Sequence, residues 1–148
     1  MKAKRKPKIL VVDDNDTNRK LINKVLTLAD YNVLEARDAM EVANQLDRHS
    51  PALILMDIAM PDLDGLELTR KLKAHESTRR YGIVAVSAHA SEKDKLGALE
   101  AGCLGHIGKP INTRLFPQQI SEFIRIAKAA IRADAKLLAS SIPLTPLA

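Results

Sequence analysis

Cysteine, aromatic residues and long apolar runs are scarce in this 148-residue sequence, and each scarcity excludes a class of protein. Because Cys103 is the only cysteine, an intramolecular disulfide and a cysteine-rich zinc site are both excluded. Two Tyr, two Phe and no Trp offer little surface for stacking nucleic-acid bases and predict an aliphatic core. No apolar run approaches the roughly 20 residues of a membrane-spanning helix. The run Ile9–Val12 after the basic start is too short for a signal peptide, so the sequence predicts a cytoplasmic protein.

The positive charge of the sequence is concentrated at its N-terminus. Five of the 23 basic residues lie between Lys2 and Lys8, and this number equals the formal net charge of +5. The rest of the chain is therefore neutral, whereas a nucleic-acid-binding domain carries its excess of Lys and Arg on the folded body. A short basic terminus is more often a solvated tail than a DNA-binding arm. We predict no DNA-binding domain.

Five short apolar runs alternate with longer stretches of helical period. Runs that are short and continuous are typical of strands buried on both faces. The predicted strands are Ile9–Val12, Asn32–Ala36, Leu53–Met56, Ile83–Val86 and Leu104–Gly108. Fivefold alternation of strand and helix predicts one doubly wound α/β domain, a five-stranded parallel sheet with helices on both faces.

Polar side chains mark the ends of the predicted helices. The first helix is predicted to be capped by Asp16 or Thr17, and the next three by Asp38, Asp64 and Ser91. Glu67 and Asp94 stand three residues after the last two caps, the spacing of a capping box. The fourth helix is predicted to end at Gly102, and the fifth to start near Asn112 with Pro117 in its first turn.

Polar residues also follow the carboxyl ends of four predicted strands. Asp13 and Asp14 follow the first strand, Asp57 the third, Ser87 the fourth and Lys109 the fifth. Carboxyl ends of parallel strands lie along one edge of the sheet, where ligand sites form. Each residue alone has an ordinary structural explanation, such as a helix cap or a turn. Compatible groups at four independent strand ends favour a functional site.

Three clustered carboxylates repel one another unless a cation lies among them. With oxygen ligands only, and neither His nor Cys in the cluster, Mg²⁺ or Mn²⁺ is favoured over zinc. Asp57 beside such a cation can act as a nucleophile toward phosphorus, while Lys109 and Ser87 supply an ammonium and a hydroxyl for the phosphoryl oxygens. The set predicts a phosphoryl-accepting site.

From about Lys8 to about Lys128, the sequence resembles bacterial response-regulator receiver domains. The matching segments are ILVVDDN at 9–15, LILMDIAMPDLDG at 53–65, VSAHA at 86–90 and GCLGHIGKP at 102–110. Together they are far more specific than any one of them. The resemblance implies a flavodoxin-like sheet of strand order 2-1-3-4-5.

The resemblance also implies roles for the acidic residues. Asp57 would be the phosphoacceptor and would bind the metal together with Asp14, with Asp13 helping through water. The backbone carbonyl of Ala59 would complete the protein's metal contacts. Mg²⁺ is the implied cofactor, with Mn²⁺ as an alternative, and no organic cofactor is implied.

The remaining implied roles concern the phosphoryl group and the switch. Lys109 would pair with phosphate, the Lys109–Pro110 bond would be cis, and Ser87 would bind phosphate in the activated state. His106 occupies the position where the family usually has a Tyr or Phe that moves inward on activation. His89, two residues after Ser87, stands where residue identity tunes the lifetime of the phosphoryl group.

The resemblance predicts a stand-alone response regulator rather than an enzyme acting on a separate substrate. It would take its phosphoryl group from a sensor histidine kinase or a histidine phosphotransfer protein, and would catalyse only its own Mg²⁺-dependent phosphorylation and dephosphorylation. We divide the chain into a basic tail (residues 1–7), a receiver domain (8–128) and a C-terminal helical extension and tail (129–148).

The last predicted helix is longer than the fold requires. Its apolar residues continue at the 3-4-3-4 spacing of a helix that pairs with another helix, as Phe123, Ile126, Ala130, Ala133 and Leu137. A second stripe of Ile120, Ile124, Ala127 and Ile131 would face the sheet. The alternative is an Ala-rich helix that frays. We predict a homodimer formed through the fifth helix.

Three other functions fit parts of the pattern. A flavodoxin-like cofactor binder would need a donor-rich loop after the first strand, but that loop is acidic here, and a yellow protein would revive the idea. A phosphohydrolase of the haloacid-dehalogenase type would carry a second Asp where Ala59 stands, and turnover of phosphomonoesters would identify it. A nucleic-acid-binding adaptor would show salt-sensitive binding that survives Asp57→Asn.

Overall fold

The computed structural model of the chain describes residues 5–59, 64–88 and 91–141. His89, part of the predicted basic tail and the end of the predicted C-terminal tail lie outside these ranges. The role of His89 and the two tails therefore stay predictions.

Five strands and five helices alternate along the described residues, as predicted. The strands are β1 (Lys8–Val12), β2 (Asn32–Ala36), β3 (Leu53–Asp57), β4 (Ile83–Ser87) and β5 (Gly105–Gly108). The helices are α1 (Asp16–Leu28), α2 (Ala39–Arg48), α3 (Gly65–Ala74), α4 (Glu92–Ala101) and α5 (Phe116–Ser141). All strands are parallel, in the order 2-1-3-4-5, which confirms the predicted doubly wound fold.

Alternation along the strands divides the core into two layers. Leu10 and Val12 of β1 face one side of the sheet, where α2, α3 and α4 pack. Ile9 and Val11 face the other side, where α1 and α5 pack. The central strand β3 is buried along its whole length. Because both faces are covered there, the inner strands β1, β3 and β4 are nearly continuous apolar runs.

Four helices begin at a side-chain cap. Asp38, Asp64 and Ser91 accept backbone N–H groups of the first turns of α2, α3 and α4, as predicted. At α1 the prediction was wrong by one residue, because Asn15 rather than Asp16 or Thr17 caps the helix, its Oδ1 accepting the Asn18 N–H at 2.9 Å.

The fourth helix ends at Gly102, as predicted, in a left-handed conformation with a φ of 110°. Such a backbone strains any residue with a side chain, and glycine is the usual solution. Cys103, the next residue, is buried, and burial raises the pKa of its thiol to about 11. The sole cysteine is therefore a core residue held in its neutral form.

The fifth helix begins four residues later than predicted. Asn112 caps a turn before it, accepting the Arg114 N–H at 3.1 Å, and α5 then runs from Phe116 with Pro117 in its first turn. The sheet-facing stripe is shorter than predicted, since Ile124 and Ala127 are buried but Ile131 is 46% exposed. Beyond Ala127 the described part of the helix has left the core.

Within the residues that the structure describes, no helix is long and apolar enough to cross a membrane.

Candidate functional site

The carboxyl ends of β1, β3 and β5 bring three of the predicted site residues into direct contact. Asp13 directly follows β1, Asp57 is the last residue of β3, and Lys109 directly follows β5. The Lys109 Nζ lies 3.1 Å from Asp13 Oδ2 and 3.2 Å from Asp57 Oδ2. These residues are 96 and 52 positions from Lys109 in the chain, so the sheet topology alone unites them.

The two buried carboxylates are held in place by backbone as well as by Lys109. The Ala59 N–H donates to Asp57 Oδ1 at 2.9 Å, and the Asn15 N–H donates to Asp13 Oδ1 at 2.8 Å. Each carboxylate therefore has one oxygen on a backbone amide of its own loop and the other on the ammonium. A carboxylate oxygen accepts two bonds, so acceptor capacity remains toward the site.

The pKa values of Asp13 and Lys109 are each shifted by opposing effects. Burial raises the pKa of the Asp13 carboxyl, and the nearby charge of Asp57 raises it further, against the lowering effect of Asn15 and Lys109. Burial by itself would lower the pKa of Lys109, but the charges of Asp57 and Asp13 and its hydrogen bonds to both outweigh this and raise it. The site thus holds a firmly protonated lysine beside the buried Asp13 carboxyl, whose ionised form is disfavoured chiefly by burial.

The acidic cluster has the donor set of a divalent-cation site. One carboxylate oxygen from each of Asp13, Asp14 and Asp57 lies within 4.8 Å of the other two. Asp13 and Asp57 are buried, whereas Asp14 is exposed at the mouth of the site. Hard oxygen donors without nitrogen or sulfur match the preference of Mg²⁺. The residues therefore fit a magnesium ion, and the cluster could bind a metal.

A cavity of about 350 Å³ opens over this cluster. It is lined by Asp14, Asn15, Asn18, Asp57, Ala59, Ala88 and Lys109. A larger cavity of about 440 Å³ lies between the C-terminal ends of α2 and α3, at the opposite edge of the sheet, and none of the predicted site residues lines it. The cavity over the acidic cluster is the one whose chemistry suits a phosphoryl group.

The other predicted residues lie around the same edge. Ser87 is the last residue of β4, buried, and its backbone carbonyl accepts the Lys109 N–H at 2.9 Å. The Lys109–Pro110 peptide bond is cis. His106 lies on β5, away from the acidic cluster, in a groove of about 390 Å³ that Leu115 and Phe123 also line.

One residue of the site region was missed by sequence reasoning. Arg19 on α1 is buried and donates to the backbone carbonyl of Asp13 at 2.8 Å, and also to Asp16 and Glu35. At position i+3 from Asp16 it suggests only an ordinary surface ion pair. No feature of the local sequence indicates that β2 would place Glu35 beside it.

The chain is similar in sequence to a family of known proteins. The sequence profile described as the response regulator receiver domain matches residues 9–121. The polar-differentiation response regulator DivK of Brucella ovis is 34% identical over 116 residues, which cover 78% of this chain and 94% of that protein.

Two solved receiver domains are also similar to this chain. The receiver domain of the sensor histidine kinase PA1611 from Pseudomonas aeruginosa, with a magnesium ion coordinated in its active-site cleft, is 31% identical with a TM-score of 0.72, covering 80% of this chain and 98% of that one. A CheY-like response regulator receiver domain protein from Methanospirillum hungatei is 29% identical with a TM-score of 0.74, covering 84% and 98%.

Proposed function

Because this chain belongs to the response regulator receiver domain family, we propose that it is a phosphorelay protein that accepts a phosphoryl group on Asp57. The donor would be a sensor histidine kinase or a histidine phosphotransfer protein. The signal would pass on through contacts with other proteins. The observation that carries the proposal is the buried Asp57 carboxylate, 3.2 Å from Lys109 and within one cluster with Asp13 and Asp14.

The side chains supply the parts of a phosphoryl transfer. Asp57 would attack phosphorus through a carboxylate oxygen, forming a C–O–P linkage as the bond from phosphorus to the donor's imidazole nitrogen breaks and the imidazole regains a proton. The transferring group carries spread negative charge, which needs positive partners around it. Lys109, firmly protonated, would bind one phosphoryl oxygen, and the Ser87 hydroxyl would donate to another.

Asp13, Asp14 and Asp57, with the Ala59 carbonyl, are the residues that we propose would hold Mg²⁺. When bound, the ion would offset the carboxylate charge and bind phosphoryl oxygen, which lowers the barrier to attack by an anion. The raised pKa of Asp13 agrees with this assignment, since burial and then the charge of Asp57 disfavour its ionised form, which a bound cation would favour.

Acetyl phosphate with and without Mg²⁺ tests the proposal. We expect one added phosphoryl group in the intact mass, stable to acid and labile to alkali, as an acyl phosphate is. Asp57→Asn should abolish it, since an amide is not a nucleophile toward phosphorus. Asp47→Asn, an exposed Asp on α2 outside the cluster, is the matched control and should label like the wild type. Equal labelling of Asp57→Asn would exclude the proposed acceptor.

We also propose a switch and a partner surface. A phosphoryl group on Asp57 would draw the Ser87 hydroxyl toward it and shift the loop after β4, and His106 on β5 would follow. A second copy of the chain would pair along the exposed apolar residues of α5. We infer that residues 8–128 are the receiver unit and that residues 129–148 are a C-terminal extension and tail.

A further inference from the structure

Arg19 occupies an unusual position for an arginine. Its side chain is only 10% exposed, although it lies on α1 beside the open edge of the site. Its three nitrogens each donate to a different residue: Nη1 to the Asp13 carbonyl after β1, Nε to Glu35 Oε1 on β2 at 2.7 Å, and Nη2 to Asp16 on its own helix. A fixed, planar fork of donors makes this possible, and lysine could not reproduce it.

The partner that matters for the site is the carbonyl of Asp13. That carbonyl belongs to the peptide plane that joins Asp13 to Asp14, and a peptide plane turns as one rigid unit. Holding its oxygen therefore fixes one of the two peptide planes that meet at the Asp14 Cα, the atom from which the Asp14 side chain leaves the backbone. Asp13 is also tied by its own N–H, which donates to the Ala36 carbonyl at 3.1 Å.

Glu35, which accepts from Arg19, is itself held by two other side chains. Glu35 accepts from Arg19 with one oxygen and from the Asn23 Nδ2 at 2.9 Å with the other. The Glu35 carbonyl accepts from Gln45 Nε2 on α2 at 2.9 Å. These hydrogen bonds, which we call the Arg19 clamp, thus connect α1, β2 and α2 to the Asp13 carbonyl oxygen at the end of β1.

Stability alone is a weak reason for such a network. Burying a charged pair removes two ions from water, and the ion pair commonly does no better than apolar packing of the same shape. Arg19 is a buried arginine that donates to the backbone carbonyl of Asp13, next to Asp14. This suggests instead that it fixes the position of the acidic pair.

We propose that Arg19 is a positioning residue for the metal, acting through the Asp13–Asp14 peptide to aim both carboxylates. This role rests on the proposed magnesium site. It differs from the roles of Asp13, Asp14 and Asp57 because Arg19 would contact neither the ion nor the phosphoryl group.

Two variants and one control test the role on the full chain. Arg19→Lys keeps the charge but loses the fork, and Glu35→Ala removes the support behind Arg19. Arg37→Lys is the matched control, because it makes the same substitution just after β2 in an exposed ion pair with Glu41. The Mg²⁺ dissociation constant is measured by calorimetry, the melting temperature without metal, and the rate of labelling by acetyl phosphate at low and saturating Mg²⁺.

Loss of an outer residue that orients metal ligands typically weakens metal binding by about tenfold or more. We expect the dissociation constant to rise about tenfold in Arg19→Lys, about threefold in Glu35→Ala and less than about twofold in Arg37→Lys. Labelling at saturating Mg²⁺ should return to within about twofold of wild type, because Asp57 is held separately by Ala59.

A lower melting temperature with unchanged Mg²⁺ affinity in Arg19→Lys and Glu35→Ala would overturn the role and leave a purely structural clamp. If Arg19→Lys fails to fold, Glu35→Ala decides in the same way. If the wild type and Arg37→Lys bind no Mg²⁺, the proposed metal site is wrong and the positioning role falls with it.

Discussion

At the scale of single residues, the charge of Asp13 opposes folding in the absence of metal. Asp13 is 1% exposed, and the pKa of its carboxyl is raised above the ordinary value of 3.8, chiefly by burial and then by Asp57. The stabilisation that comes from burying Asp13 in its protonated form is therefore fully present below pH 3.8. It is lost as the pH rises through the raised pKa of the folded state. At neutral pH the ionised form is the less stable one in the fold.

We therefore expect Asp13→Asn to increase the free energy of unfolding at pH 7 without metal, by up to about 1 kcal/mol. The amide oxygen can still accept the Asn15 N–H, and Lys109 keeps Asp57 as a partner. Urea unfolding at pH 7 and pH 3 measures the effect, and the gain should disappear at pH 3. In saturating Mg²⁺ the wild type should instead be more stable than Asp13→Asn, because metal binding stabilises the wild type more. A variant less stable than wild type in metal-free buffer at pH 7 would contradict this account.

Single residues also mark the limit of sequence reasoning. Asp57 and Ser87 were expected to follow their strands, but each is the last residue of its strand because it pairs with the neighbouring strand, Asp57 with Val86 and Ser87 with Gly108. Their types and order were readable from the sequence. The burial of Arg19 was not, since it depends on Glu35 arriving from β2.

At the scale of elements, α3 is pressed against the end of β3 that carries Asp57. A Cβ on Gly65, the first residue of α3, would meet the Asp57 carbonyl oxygen at 2.3 Å and the Ile58 Cα at 2.8 Å. Both atoms are backbone, so the helix or the strand end would have to move. Glycine at this position thus allows the close approach that fixes the site.

Gly65→Ala should therefore lower the free energy of unfolding by about 1–3 kcal/mol and slow the labelling of Asp57. Gly97→Ala on α4 is the matched control, because its added methyl would meet only Leu66 Cδ1 at 3.9 Å. That change should raise stability by about 0.5–1 kcal/mol, the usual gain from replacing glycine within a helix. Equal effects of the two substitutions on denaturation would show that the approach at Gly65 is not tight.

The loop after β4 is the element that we propose transmits phosphorylation. Ser87→Ala keeps Asp57, Lys109 and the acidic pair, so we expect it to be labelled by acetyl phosphate. Without the hydroxyl, phosphorylation should no longer change amide exchange in α4 and β5. Identical protection changes in wild type and Ser87→Ala would break the proposed link between the phosphoryl group and β5.

The ends of elements were harder to predict than their existence. The helical period of α5 is the same on both sides of Ala127, so a pattern of apolar residues cannot show where the core ends. Only the packed structure shows that Ile124 is buried and Ile131 is not. Likewise, Asn15, Asp16 and Thr17 are all acceptable caps, and the choice of Asn15 depends on how β1 leads into α1.

At the scale of the whole molecule, the exposed half of α5 requires an explanation. From Lys128 to Leu137 every residue is exposed, including Ile131 and Leu137 at 46% and 67%. A helical segment of this length is marginal in water by itself. Pairing of two chains along Phe123, Ile126, Ala130, Ala133 and Leu137 would bury Leu137, whereas Ile131 belongs to the other stripe of the helix.

We expect the full chain to be a dimer by light scattering at tens of micromolar, and Ala130→Glu to return it to a monomer by placing a charge on the pairing face. Ala135→Glu makes the same substitution on the opposite side of the helix and should leave the dimer intact. A wild type that is monomeric both with and without phosphorylation would exclude pairing through α5.

The most direct test of the central claim is to locate the phosphoryl group in the chain. After labelling with acetyl phosphate and Mg²⁺, borohydride reduction converts an aspartyl phosphate into homoserine, which marks its position permanently in a peptide mass spectrum. The account predicts homoserine at position 57 and unmodified aspartate at 13 and 14. Homoserine at either of those positions, or a phosphate ester on Ser87 with Asp57 unmodified, would contradict it.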